Sequence, residues 1–345
     1  MKTIPAFLPL ALWACAAAPP QIRSHRPPYP TLGTVERHDP ALDAILAPDA
    51  KLEILTEGFV WTEGPVWVRD GGYLLFSDIP PNSIYLWKEG AGTRLFLKPA
   101  GYDGKRTDIK EPGTNGLTLD AAGRLVMCEH GNRRVARLES LADPRGPKTA
   151  LAERYGGRRL NSPNDLVYRS NGDLYFTDPP YGLPTQSPDD PEKELDFQGV
   201  FRLSPGGELT LVSRELERPN GIALSPDEKT LYVANSHKPR PIWMAYDVKA
   251  DGTLGPGRVF FDATGYQNAH PERPGANDGL KVDRAGNLFA TAAGGVMILS
   301  PQGKHLGTIV TGQRTANCAF GDDGSSLYVC AHMFVCRVRL KTKGF

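Results

Sequence analysis

Short apolar runs that alternate with polar residues, each closed by a turn, dominate this chain, whereas helical periodicity is almost absent. The stretch from Asn161 to Asp178 shows the unit best. Leu166, Val167 and Tyr168 predict one strand and Leu174, Tyr175 and Phe176 a second, with Ser170, Asn171, Gly172 and Asp173 between them. Asn-Gly between apolar runs predicts a hairpin because both residues tolerate positive φ. The same unit, a polar residue opening an apolar strand followed by a turn and further strands, starts at Glu63, Asn115, Asn164, Asn220, Asn277 and Asn317. The intervals are 52, 49, 56, 57 and 40 residues, close to the spacing of four-stranded propeller blades. The pattern predicts an all-β, six-bladed β-propeller of four-stranded antiparallel blades over residues 51–345. The last copy supplies only three strands before Phe345, so the strand at Leu52, Glu53, Ile54 and Leu55 is expected to complete the sixth blade and close the ring.

Composition changes this picture little. The 37 Gly and 31 Pro are spread between apolar runs, as many turns require, and do not form a low-complexity linker. A net charge of +1 without a long block of one sign gives no support to nucleic-acid or anionic-membrane binding. Residues 1–18 form a separate segment. Met1 and Lys2 precede an apolar run too short to span a bilayer but suited to a signal-peptide core, with Ala16, Ala17 and Ala18 as a cleavage region. Leu12-Trp13-Ala14-Cys15 resembles a lipoprotein box, from which the bulky Trp13 departs. The expectation is export to the periplasm, with a lipid on Cys15 as the only membrane attachment. Residues 19–50 read as a Pro-rich extended arm. Cys128, Cys318, Cys330 and Cys336 lack the spacing of a structural zinc site. They leave open a Cys330–Cys336 bridge, a Cys318–Cys330 bridge or free buried thiols.

In a propeller the first strand of each blade lies beside the axis, so the six strand starts converge at one end of the channel. They carry Glu63, Asn115, Asn164 with Asp165, Asn220, Asn277 with Asp278, and Asn317. Loops after the second strands bring Asp78, Glu129, His130, Asp178, Tyr181, His237 and His332 to the same face, and the insertion at 179–198 is placed to cover it. One Asn at a strand start is an ordinary turn residue, but six on one axis need a common partner, since each unpaired buried polar group costs about 1–3 kcal/mol. Carboxylate and amide oxygens suit a hard divalent cation. Asn115, Arg159, His130 and Tyr181 are candidates for binding substrate hydroxyls. No Gly-x-Ser-x-Gly elbow is present.

Thr62-Glu-Gly-Pro-Val-Trp67, Asn161-Ser-Pro-Asn-Asp165, Phe176-Thr-Asp-Pro-Pro-Tyr-Gly182, Arg218-Pro-Asn-Gly-Ile222 and Asn277-Asp-Gly-Leu-Lys281 together resemble the gluconolactonase / SMP-30 / luciferin-regenerating-enzyme family, and most closely its bacterial gluconolactonase branch. The resemblance implies a six-bladed propeller that hydrolyses a small-molecule sugar lactone, glucono-1,5-lactone or a related aldonolactone, to the aldonic acid. It also implies one divalent cation, Ca²⁺ first, with Mg²⁺, Mn²⁺ or Zn²⁺ as alternatives. Carried over by motif, the ligands are Glu63, Asn164, Asn220 and Asp278. The implied reaction has the cation polarise the lactone carbonyl, while Asp278 or a hydroxide on the cation delivers water. Ala276 and Asn277 stand before Asp278 where relatives often have Pro. Two other readings use the same face: a paraoxonase-like esterase or lactonase for other substrates, and a non-catalytic propeller that binds a sugar or a partner.

Overall fold

The computed structural model describes residues 21–345, so the expected signal segment and Cys15 lie outside the described residues. Six antiparallel sheets follow one another along the chain and are built as predicted. The first blade comprises Thr62–Val68, Tyr73–Asp78, Ser83–Lys88 and Gly92–Leu97, the second Thr114–Leu119, Leu125–Glu129, Arg134–Leu138 and Lys148–Ala152. The third comprises Leu166–Tyr168, Leu174–Asp178, Gly199–Leu203 and Leu209–Ser213, the fourth Pro219–Leu224, Thr230–Asn235, Ile242–Asp247 and Arg258–Asp262. The fifth contains Leu280–Val282, Leu288–Ala292, Gly295–Leu299 and His305–Val310, the sixth Thr315–Gly321, Ser326–Ala331 and Phe334–Arg339. Among the described residues, Thr264–Ala269 forms an α-helix and Pro40–Ala44 a 3₁₀ helix, and no helix is long and apolar enough to cross a membrane.

Each sheet is apolar on both faces because it is packed on both sides. Leu75 and Leu86 of the first blade pack against Leu117 and Met127 of the second. On the other side of the first blade, Phe76 and Trp87 meet Tyr328 and Cys330 of the sixth. The core is therefore a ring of inter-blade layers around the axis, each formed by sheet-on-sheet packing.

Leu52–Glu57 closes that ring. It pairs antiparallel with Phe334–Arg339, with Ile54 opposite Cys336 and Thr56 opposite Val335. Arg337 locks the seam. Its guanidinium, almost wholly buried, donates to Glu53 at 2.9 Å and Glu89 at 2.6 Å and lies over the rings of Tyr29 and Trp87. The arm does more than lead into the fold. Thr34–Arg37 adds a fifth strand to the edge of the fifth blade, with Glu36 opposite Thr308. Arg23–Ser24 and Thr31–Leu32 pair with the closing strand itself. Cys128, Cys318, Cys330 and Cys336 are free, buried thiols. The first, on the second strand of the second blade, is pushed well above the usual thiol range by burial.

Candidate active site

The innermost strands approach one another closely, and in four blades a glycine follows the polar opening. A Cβ built on Gly64 would lie 2.0 Å from the Asn115 carbonyl oxygen, and one on Gly221 would lie 2.2 Å from that of Asp278. One on Gly116 would lie 2.6 Å from the Asn164 carbonyl oxygen, and one on Gly279 2.0 Å from the amide carbon of the Asn317 side chain. The Asn-Gly and Asp-Gly pairs read from the sequence as strand openings are thus also the condition for close approach around the axis. Hydroxyls tie the ring in the same sense. Ser77 Oγ donates to the Asn115 carbonyl at 2.8 Å and Thr177 Oγ1 to that of Asn220 at 2.7 Å. Ser236 Oγ donates to the Asn277 carbonyl, and Thr291 Oγ1 to that of Ala316 at 2.9 Å.

This scaffold buries Glu63, Asn115, Asn164 and Asn220, and leaves Asp278 only partly open. Asn115 Oδ1, Asn164 Oδ1 and Asp278 Oδ1 are all buried without a hydrogen-bond partner. Glu63 Oε2 accepts from the Gly64 N–H at 2.8 Å, and Asn220 Nδ2 donates to Ser236 Oγ at 2.8 Å while the same amide reaches Asp278. Burial pushes the Glu63 carboxyl up, and the charges of Asp165 and Glu111 push it further. Burial likewise raises Asp278 well above the carboxylate range, reinforced by Glu63, Asp165 and Glu111. Carboxyls that raise one another, beside amide oxygens with no partner, form a set that fits a divalent cation. Among the described residues no three His, Cys, Asp or Glu side chains are grouped to hold a metal by themselves, so amide oxygens have to complete such a site.

Other sequence-derived positions fall into distinct roles. Asp178, fully buried and pushed up to about 7 by burial, accepts from the Asn161 and Ser162 N–H groups at 2.8 Å each. Asp78 holds the Val60 and Trp61 N–H groups in the same manner. These two carboxylates fix the loops that precede the inner strands. Asp165 backs the cluster, 3.8 Å from the Lys281 ammonium and 3.4 Å from the Asn317 amide nitrogen. Tyr181 faces the cluster. Its hydroxyl interacts with Arg218, Asp278 and Ser236, and the Arg218 guanidinium lies 5.2 Å from its ring centroid. Arg159 sits on a small hairpin beside the mouth, donating to the Asn132 carbonyl at 3.0 Å while Glu194 accepts from its N–H. His130 is fully buried, and neither ring nitrogen has a partner. The His237 carbonyl accepts from the Arg240 N–H within its turn, and the His332 carbonyl accepts from the Thr62 N–H and hydroxyl at the start of the first blade.

Two contributors escaped the sequence reading. Glu111, in the loop before the second blade, has its carboxyl pushed up to about 7 by burial and acts on both Glu63 and Asp278. It opens no strand and follows no motif, so only the fold could bring it in. Lys281 read as an ordinary strand residue. At the opposite end of the channel a cavity of about 1010 Å³ is lined by Val66, Trp67, Leu117, Val167, Ala223 and Lys281 among others. It contains none of the clustered oxygens.

A closed six-bladed propeller whose inner strands aim carboxylate and amide oxygens at one end of its axis defines the class: a propeller enzyme with an axial polar site. Residues 61–333 match the SMP-30/Gluconolactonase/LRE-like region, and the chain belongs to that family. It is 40% identical over 318 residues to a gluconolactonase of Zymomonas mobilis, spanning 91% of this chain and 88% of that one. Among solved structures, a gluconolactonase of Xanthomonas campestris aligns with TM-score 0.76 at 32% identity, over 92% of this chain and 100% of that one. Rabbit regucalcin is 26% identical over 285 residues, covering 81% of this chain and 85% of the relative.

Proposed function

We propose that this protein hydrolyses sugar lactones of the glucono-1,5-lactone type, with one divalent cation held by Glu63, Asn164, Asn220 and Asp278. The unpartnered, buried oxygens of Asn164 and Asp278 at the channel end carry the reading, and the 40% identity to a gluconolactonase gives the substrate class. Regucalcin among the relatives supports a divalent ion, with Ca²⁺ the first to test. When bound, such a cation supplies a Lewis acid for the lactone carbonyl.

The protein's own groups complete the reaction. The Asp278 carboxylate takes a proton from the attacking water as the water oxygen bonds to the carbonyl carbon. Burial and Glu63 raise its proton affinity above that of a free carboxylate, which strengthens it as a base. When the ring C–O bond breaks, the same carboxyl returns the proton to the departing alkoxide, giving the open hydroxy acid. Tyr181, beside Asp278, and Asn115, with its free Oδ1, are placed to hold substrate hydroxyls. The 179–198 insertion limits access by water and by bulky esters. The N-terminal pattern supports export, which fractionation of cells expressing the full chain would test.

The deciding measurement is proton release from glucono-1,5-lactone after chelator treatment, then after adding back single cations. Loss with chelator and recovery with Ca²⁺ is expected. Full activity in EDTA, or in Asp278→Ala, would reject the mechanism. A cation-loaded protein inert to lactones would favour the binding-propeller reading.

A further inference from the structure

We propose that Glu111 and His130 form a hydroxyl-binding subsite beside the cation ligands, which selects polyhydroxylated lactones over unsubstituted ones. The inference rests on the lactone reading above and adds the feature of the substrate that is recognised.

His130 provides the first observation. Its side chain has no exposed surface, and neither ring nitrogen makes a hydrogen bond of good geometry, the Glu111 main chain being the polar group nearest to it. A buried imidazole in that state is destabilising unless something outside the chain completes it. The ring is not free to turn away. The His130 N–H donates to the Gly113 carbonyl at 3.1 Å, and a Cβ on Gly182 would lie 2.6 Å from His130 Cβ. Burial holds the imidazole neutral by pushing it down to about 3, so it offers one donor and one acceptor.

Glu111 provides the second. Its Oε2 lies 3.9 Å from His130 Nδ1, too long for a direct hydrogen bond. A hydroxyl oxygen about 2.8 Å from each atom would bridge them. The carboxylate lies near enough to Glu63 and Asp278 for its charge to act on both. Its loop is also tied to the insertion, for Arg106 donates to Glu192 through two bonds of 2.6 Å, and Gln186 of the insertion lies beside it. A carboxyl oxygen that accepts, beside a neutral imidazole that both donates and accepts, matches two neighbouring hydroxyls of a sugar ring. It offers nothing to a hydrocarbon ring.

The test compares kcat/KM for glucono-1,5-lactone and for δ-valerolactone in the Ca²⁺-loaded wild type, Glu111→Gln and His130→Gln, together with Ca²⁺ affinity by calorimetry. The expected result is a fall in the gluconolactone-to-valerolactone ratio of roughly tenfold to a hundredfold, carried mainly by KM, with Ca²⁺ affinity unchanged in His130→Gln and only a few-fold weaker in Glu111→Gln, which loses a nearby charge. Glu111→Gln keeps the shape of the side chain and carries the test if His130→Gln does not fold. An unchanged ratio, or an equal loss on both lactones, would overturn the inference alone. Abolished Ca²⁺ binding in Glu111→Gln would also overturn it, by making Glu111 a ligand. A Ca²⁺-loaded wild type inert to both lactones would instead reject the lactonase reading on which the inference stands.

Discussion

Glu63 and Asp278 make the cluster expensive to keep charged when no cation is present. Both carboxyls are raised by burial and by the charges of Asp165 and Glu111, Asp278 by Glu63 as well, and Glu111 and Asp178 are each pushed up to about 7. A raised carboxyl holds its proton more tightly in the folded chain than in the unfolded one. Its contribution is therefore full below the unfolded value, near pH 4, and is lost as pH climbs through the folded one. In EDTA the melting temperature should fall between pH 5 and pH 8, and a flat profile across that window would contradict the assignment. Surface carboxyls held down by cations, such as Asp39 beside Lys304, act in the opposite direction only at lower pH. At pH 8, Ca²⁺ at a hundred times its dissociation constant should restore about 2.7 kcal/mol. Glu63→Gln and Asp278→Asn should flatten the EDTA profile and abolish the Ca²⁺ shift. Asp278→Asn should also lower kcat/KM by roughly a hundredfold or more, as loss of a general base does.

At the scale of elements, the insertion over the mouth and the N-terminal arm have different duties. The insertion is tied to the loop before the second blade by Arg106 and Glu192, both exposed. Exposed pairs contribute little to global stability. Arg106→Ala should therefore leave the melting temperature within a degree while speeding protease cleavage within 185–194 and raising KM a few-fold; unchanged cleavage would mean the insertion is held elsewhere. The arm acts on edges. Removing residues before Lys51 uncovers His305–Val310, now covered by Thr34–Arg37, so the shortened protein should melt lower and self-associate in size-exclusion runs. Removal through Glu57 takes away the outer strand of the sixth blade and should leave no soluble monomer. If that chain ran as a stable monomer, the closing strand would be dispensable.

For the whole molecule, the repeat was legible because each blade restates one local pattern, and its polar openings pointed to the axis. Leu52–Glu57 was legible as the closing strand because the sixth copy lacked one. Glu111, Lys281 and the pairing of Thr34–Arg37 with the fifth blade were not, since they depend on contacts between distant segments that leave no local period. Asn-Gly was legible as a turn signal, yet half of its meaning lies in the neighbouring blade. In four blades an inner glycine makes room for the next blade: Gly64 for the Asn115 backbone, Gly116 for that of Asn164, Gly221 for that of Asp278 and Gly279 for the Asn317 side chain. The hydroxyls of Ser77, Thr177, Ser236 and Thr291 reach forward in the same direction. The ring therefore has a sense of rotation that its blades, taken singly, lack. A methyl added at Gly221 would disturb the fourth blade little and displace Asp278 in the fifth, so Gly221→Ala should weaken Ca²⁺ binding out of proportion to its effect on melting. In lineage terms, no blade of this propeller can be exchanged by itself. The inner strands can change only in concert, which leaves the loops above the channel as the part free to diverge.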